Sequence, residues 1–296
     1  MGLGCEPVTR VLVLGTNGML GAMVARVLAD HDELEVIAST RRGDNGSLAF
    51  DATLDSVSDL LDTASCQWIV NAIGMLDRDI DRDNPASVAS ALEVNALFPN
   101  RLAASAGPGR RVVQIATDGV YSGQHSGYDE RAPHDADGVY ALTKTLGEVR
   151  APNVMNLRCS IIGPEQSRGR SLLSWALTQP RGATITGYDN HWWNGITTLQ
   201  FARLCSAVIR SGAGAMPNLS HVVPADSMTK ADLLKKIVVA FGREDVTVVS
   251  APAPTPADRR LATLDPAANR RLWELAGYSP PPTIRAMVGE LAAFGR

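Results

Sequence analysis

The feature that most constrains this chain is a series of short apolar runs separated by helical patterns. "RVLVLG" (10–15), "LEVIAST" (34–40), "CQWIVNAIG" (66–74), "RRVVQIATD" (110–118) and "NVMNLRCSIIG" (153–163) each read as a strand. Between the first two lies "GAMVARVLAD" (21–30), whose apolar residues recur at helical spacing. A strand that is apolar at consecutive positions has no solvent side, so both faces of its sheet must be covered. Strands of that kind alternating with helices predict an α/β fold, a doubly wound parallel sheet. Past residue 160 the rhythm loosens. "TTLQFARLCSAVIRSG" (197–212) still reads as a helix, with a capping box from Thr197 and Gln200 and a stop at Gly212. "APAPTPAD" (251–258) reads as a connector, and "PAANRRLWELAG" (266–277) as a short amphipathic helix. We expect a dinucleotide-binding domain over residues 1–160. Residues 161–296 then form a smaller mixed, mainly substrate-binding region, some of whose elements return to the first domain.

The glycine pattern in the first strand–helix turn fits that architecture. "VLVLGTNGMLG" places Gly15, Gly18 and Gly21 three apart. Gly15 permits a tight turn, Gly18 lets backbone approach a pyrophosphate, and Gly21 lets helix and strand pack closely. The helix N-terminus then offers free N–H groups to the anion. Folds that bind NAD place an acid near the end of the second strand for the ribose 2′-hydroxyl. Here that stretch reads "STRRGDN", and Arg41 and Arg42 stand in its place. Arginine grips a 2′-phosphate through paired hydrogen bonds, so the chain is expected to prefer NADPH to NADH.

Lys144 is the only lysine before residue 230; elsewhere in that span positive charge is arginine. It stands four residues after Tyr140 in "YALTK", so the two share one helix face. A phenol with an ordinary pKa near 10 is a reluctant proton donor or acceptor at neutral pH, and a nearby ammonium is expected to lower that value. Tyr140 then suits proton transfer to an oxygen that gains charge as hydride reaches its carbon. Thr117, in "QIATDGVYSG" (114–123), lies at the C-terminal end of a predicted strand, where such sheets bind ligands. Its hydroxyl is a candidate to hold a substrate carbonyl oxygen.

Together "GTNGMLG", "ATDGVYSG", "YALTKTLGE" and "LRCSIIG" resemble the extended short-chain dehydrogenase/reductase family, in its dTDP-4-dehydrorhamnose reductase-like branch. The resemblance implies a Rossmann-type fold and NADPH-dependent reduction of a 4-keto group on a nucleotide-linked deoxysugar. It implies catalytic roles for Thr117, Tyr140 and Lys144. It implies that cofactor contacts extend over Gly15, Asn17, Gly18, Met19, Leu20 and Gly21, then Arg41, Arg42, Asp51 and Ala52. "VNAIG" (70–74) and "EVNALFPNRLA" (93–103) stand where the family has its cofactor wall and following helix, which adds Ala72, Ile73, Gly74 and Asn95. Asp118 and Val120 fall on the substrate side. The family usually has Ser-Thr-Asp where this chain has Ala116-Thr117-Asp118. Related dehydratases carry Asp-Glu after the threonine; Gly119 here lacks the second carboxylate, which disfavours dehydration.

Other residues are read less sharply. Trp192 and Trp193 in "YDNHWWNGITT" (188–198) are candidates to stack on a base or sugar, and Asn194 to hydrogen-bond it. Arg158, Arg259 and Arg260 are candidates for a substrate diphosphate. A nucleotide-sugar epimerase would keep the Tyr140 and Lys144 pair. So would a non-catalytic NADP-binding subunit such as the regulatory subunit of methionine adenosyltransferase, which resembles the same branch.

Charge and cysteine usage remove further classes. A net charge of −3 argues against a nucleic-acid binder held by bulk charge. Cys5, Cys66, Cys159 and Cys205 and the five histidines show no metal-ligand spacing, so no metal is expected and the thiols read as reduced. No apolar run reaches membrane length. The start "MGLGCE" resembles an acylation signal, but Glu6 stands where Ser or Thr is needed. A cytoplasmic enzyme is expected, with a homodimer as its candidate assembly.

Overall fold

The computed structural model describes residues 8–165, 171–212 and 217–295. Cys5 and the rest of the N-terminal reading lie outside them. The predicted strands appear as β1 (Thr9–Leu14), β2 (Leu34–Thr40), β4 (Trp68–Asn71), β5 (Arg111–Thr117) and β6 (Val154–Cys159), with a short β3 (Leu48–Ala49) after β2. A seventh strand, Leu219–His221, joins the same sheet beside β6. From one edge the order is Leu219–His221, β6, β5, β4, β1, β2, β3, and every pairing is parallel. This is a doubly wound α/β sheet whose strand order reverses between β1 and β4, the crevice where such sheets bind ligands.

β1 shows why its apolar residues are consecutive. Val11 and Val13 pack on one face, against α1 (Met19–Leu28) and α7 (Thr198–Arg210). Leu12 and Leu14 pack on the other, with α2 (Val57–Ala64) and α4 (Phe98–Ala106). All four are fully buried. A pattern with one polar face would have left half the sheet wet.

The C-terminal half is split between two tasks. α7 and Leu219–His221 extend the central sheet and its cover. Small strand pairs build a separate floor: Thr184–Tyr188 runs parallel to Thr247–Ala251, and His191–Trp193 pairs with both Met228–Thr229 and Ala257–Asp258. α8 (Lys230–Ala240) starts directly from that floor, capped by the Thr229 hydroxyl, which accepts from Asp232 N at 3.1 Å. Thr197 caps α7 as predicted, but the Gln200 side chain does not close a reciprocal box. Its amide instead donates to Tyr278 Oη and Glu290, tying α7 to the C-terminal helix α10 (Ile284–Phe294). Among the described residues no helix is long and apolar enough to cross a membrane, and no three His, Cys, Asp or Glu side chains gather as a metal site. Cys66, Cys159 and Cys205 are buried and free.

Candidate active site

The glycine turn is close-packed. A Cβ on Gly21 would lie 2.3 Å from the Gly15 carbonyl oxygen, and Gly15 itself has φ +80°. Gly21 has no room for a side chain, and Gly15 holds a left-handed backbone that favours glycine. α1 starts at Gly18 with no side-chain cap, so its first N–H groups face outward unclaimed. Asn17 donates to Asp44 at 3.3 Å, which ties the turn to the loop after β2. Arg41 and Arg42 are exposed on that loop; Arg41 pairs with Asp51 at 3.4 Å. Asp51 also accepts from Thr53, and Ala52 is buried while its carbonyl accepts from Arg101 at 2.6 Å.

β5 ends at Thr117 and passes into a tight turn, Asp118–Val120. α5 (Val139–Leu146) brings Tyr140 and Lys144 to the same edge. The Tyr140 hydroxyl points at Thr117 Oγ1, 3.5 Å away, and Gly119 N donates to the same oxygen at 3.0 Å. Gly119 is there for space: a Cβ would come within 2.9 Å of the Tyr140 ring. Below, the chain kinks through a π-turn at Glu93–Leu97. Asn95 in that turn accepts from Met75 N at 2.8 Å and donates to Met75 O at 3.0 Å, fixing the loop after β4. Gly147 lets α5 sit on the turn, since a Cβ would lie 1.9 Å from Asn95 O.

These elements enclose a cleft of about 470 Å³, within the range of small-molecule sites. Asn17, Gly18, Met19 and Leu20 line one side, and Ala72, Ile73 and Gly74 the back. Thr117, Asp118, Tyr140 and Lys144 line the other side. Gly15, Gly21 and Asn95 shape this cleft from behind.

The electrostatics differ from the expectation in one respect. Burial, more than any other cause, pushes the Tyr140 phenol above its ordinary value; the Thr117 hydrogen bond lowers it, while Asp118 and Asp77 raise it. Lys144 is not among the causes acting on the phenol; burial drives the lysine itself down, to about 8, against the pull of Glu148. Losing water disfavours both charged forms, so the half-buried phenol and the buried ammonium both drift toward neutrality. Burial likewise raises Asp118, opposed by Lys230 and Arg259.

Several substrate-side expectations are corrected. Arg158 is fully buried away from the cleft, paired with Glu148 and donating to Tyr121 Oη, His134 and His221. Asn194 spends its amide on Leu261, donating to its carbonyl at 2.8 Å and accepting from its N–H at 2.9 Å. Val120 is buried in a small core with Tyr121, Tyr128 and Leu261. Trp193 is buried too, whereas Trp192 stays partly exposed with the Arg260 guanidinium 4.5 Å from its ring centre. Arg260 pairs with Asp258, whereas Arg259 is exposed and adds its field to Asp118, Tyr140 and Lys230.

The sequence reading missed Lys230, Ser160 and Glu165, which all line the cleft. For Lys230 the signal was present: in a chain that avoids lysine it is the second one.

The sheet and this cluster define a Rossmann-type protein of the extended short-chain dehydrogenase/reductase kind. A family model described as "RmlD substrate binding domain" matches residues 9–291, and the chain belongs to that family. Among curated proteins, none matches this sequence. Similar solved structures include a dTDP-4-dehydrorhamnose reductase from Clostridium acetobutylicum, 20% identical with a TM-score of 0.74, covering 97% of this chain and 99% of that one. A dTDP-4-dehydrorhamnose reductase from Bacillus anthracis, in complex with NADP, is 16% identical with a TM-score of 0.76, covering 97% and 100%. UDP-glucuronic acid 4-epimerase from Bacillus cereus, in complex with UDP-glucuronic acid and NAD, is 14% identical with a TM-score of 0.70, covering 97% and 98%. At these identities the likeness speaks to the fold.

Proposed function

We propose that this protein is an NADPH-dependent reductase of a nucleotide-linked 4-keto-6-deoxysugar, as the dTDP-4-dehydrorhamnose reductases are by name. One observation carries the reading: Thr117, Tyr140 and Lys144 line the same cleft as the glycine turn. The turn suits a dinucleotide, because it has a left-handed Gly15 and a close-packed Gly21 and leaves the first amides of α1 uncapped. When bound, the nicotinamide supplies a hydride to the ketone carbon. Thr117 Oγ1 holds the ketone oxygen. Tyr140 gives that oxygen its proton as negative charge develops there. Burial keeps this phenol protonated but makes it a weaker acid, so the transfer depends on the negative charge that develops on the substrate oxygen. Lys144 would hold the ribose hydroxyls of the bound cofactor.

The test is turnover of a 4-keto-6-deoxysugar nucleotide with product analysis. Stoichiometric NADPH oxidation supports the reductase; an altered sugar with unchanged cofactor would mean an epimerase and overturn it. Cofactor choice is tested separately. Replacing Arg41 and Arg42 together by Ala is expected to lower kcat/KM for NADPH by roughly 10- to 100-fold, the worth of charge-assisted bonds to a phosphate, and to leave NADH nearly unchanged. Equal effects on both cofactors would remove the 2′-phosphate from these two arginines.

A further inference from the structure

Lys230 opens α8, and its ammonium sits 5.0 Å from the centre of the Trp193 ring, facing Asp118 and Arg259. It is half-buried. Among the described residues its Nζ has no hydrogen bond and no ion pair within 4.0 Å; Asp118 acts on it only through the field. The Trp193 face holds this half-buried ammonium in place without using any of its hydrogen-bond donors, which leaves them for an anion.

Its position says where such an anion would lie. Lys230 lines the catalytic cleft and also an adjoining cavity of about 690 Å³ between Trp175, Tyr188 and His191; Leu172 is likewise shared by the two. A ligand filling both cavities must pass Lys230. Trp175 and Tyr188 offer exposed aromatic surface on the far side, while Thr117 and Tyr140 lie on the near side. We infer that Lys230 is a substrate-positioning residue that binds the diphosphate bridge of a two-part substrate at the junction of the two cavities. The assignment rests on the nucleotide-sugar reading for the diphosphate and the two parts it joins; the free ammonium at the junction is read from the geometry alone. It replaces Arg158, which burial removes from that task.

The experiment uses the full chain saturated with NADPH and measures binding of inorganic pyrophosphate, of dTDP and of D-glucuronate by calorimetry. Wild-type protein is expected to bind both diphosphate probes. Lys230→Met is expected to weaken them by roughly 10- to 100-fold, the usual worth of a hydrogen bond to a charged group, and Lys230→Arg to restore most of the loss. NADPH affinity and melting temperature of each variant report whether the fold survives. If pyrophosphate binds equally to wild type and Lys230→Met, with both folded, the assignment fails. If only glucuronate responds to Lys230, the anion is a sugar carboxylate and the diphosphate assignment is overturned. Because pyrophosphate carries no sugar, its binding is independent of whether the keto-sugar is turned over.

Discussion

Tyr140→Phe is expected to lower kcat for ketone reduction by roughly 10²- to 10⁴-fold, the range associated with a positioned general acid. NADPH affinity and melting temperature should hardly change. The ring packs against Gly119, and Phe keeps that packing while losing only a 3.5 Å bond to Thr117. The size of the loss decides between two donors in the cleft. Asp118 lines the same cleft and burial raises its carboxyl, so it is the alternative donor that this variant tests. A loss of less than about tenfold across the pH range would move the proton from Tyr140 to Asp118. A large loss at constant KM would fix it on the phenol, because an interaction made only in the transition state lowers kcat and kcat/KM together.

The phenol also shows what a sequence can and cannot carry. Spacing alone brought Tyr140 and Lys144 to one helix face, since four residues is close to one turn. It could not give the sign of the phenol's shift, which depends on how much water the folded chain removes from both groups. The same division runs through the rest of the molecule. The consecutive apolar residues of β1 demanded a sheet covered on both sides, and the three glycines demanded a turn without side chains. Both demands are local and steric. Arginine, by contrast, looks the same in sequence whether it meets solvent, substrate or a buried glutamate, and the reading of Arg158 turned on that. Asn194 was misplaced for a similar reason: its partner, Leu261, is 67 residues away. Lys230 was legible in principle. Lysine scarcity singled out Lys144, and the same argument applied to the next lysine points into the same cleft.

Arg158→Met is expected to destabilise the protein by about 3–5 kcal/mol, the cost of breaking a buried ion pair from one side. For a chain of this size that is a fall in melting temperature on the order of 10 °C. The side chain is wholly enclosed, and its guanidinium serves four groups at once. His221 donates from Nδ1 to the Ala262 carbonyl at 2.7 Å and accepts from Arg158 at Nε2, so it is held as the neutral ring. His134 is held in the same way, accepting from Arg158 while its Nδ1 bonds the Thr145 hydroxyl at 2.9 Å. Burial, then the arginine charge, lowers both imidazoles, with Glu148 opposing. A histidine whose folded value is lowered binds fewer protons folded than unfolded. Its contribution is therefore present above the ordinary imidazole value of about 6.5 and is lost as pH falls below it. Acid should unfold the wild type through this network, and Arg158→Met should blunt that pH dependence while lowering stability at pH 8. Pairing Arg158→Met with Glu148→Met should recover part of the loss, since an apolar pair leaves no buried carboxylate behind. Chemical denaturation at pH 6 and pH 8 reads both effects. A variant as stable as wild type but weaker for dTDP would return Arg158 to the substrate and withdraw the diphosphate from Lys230.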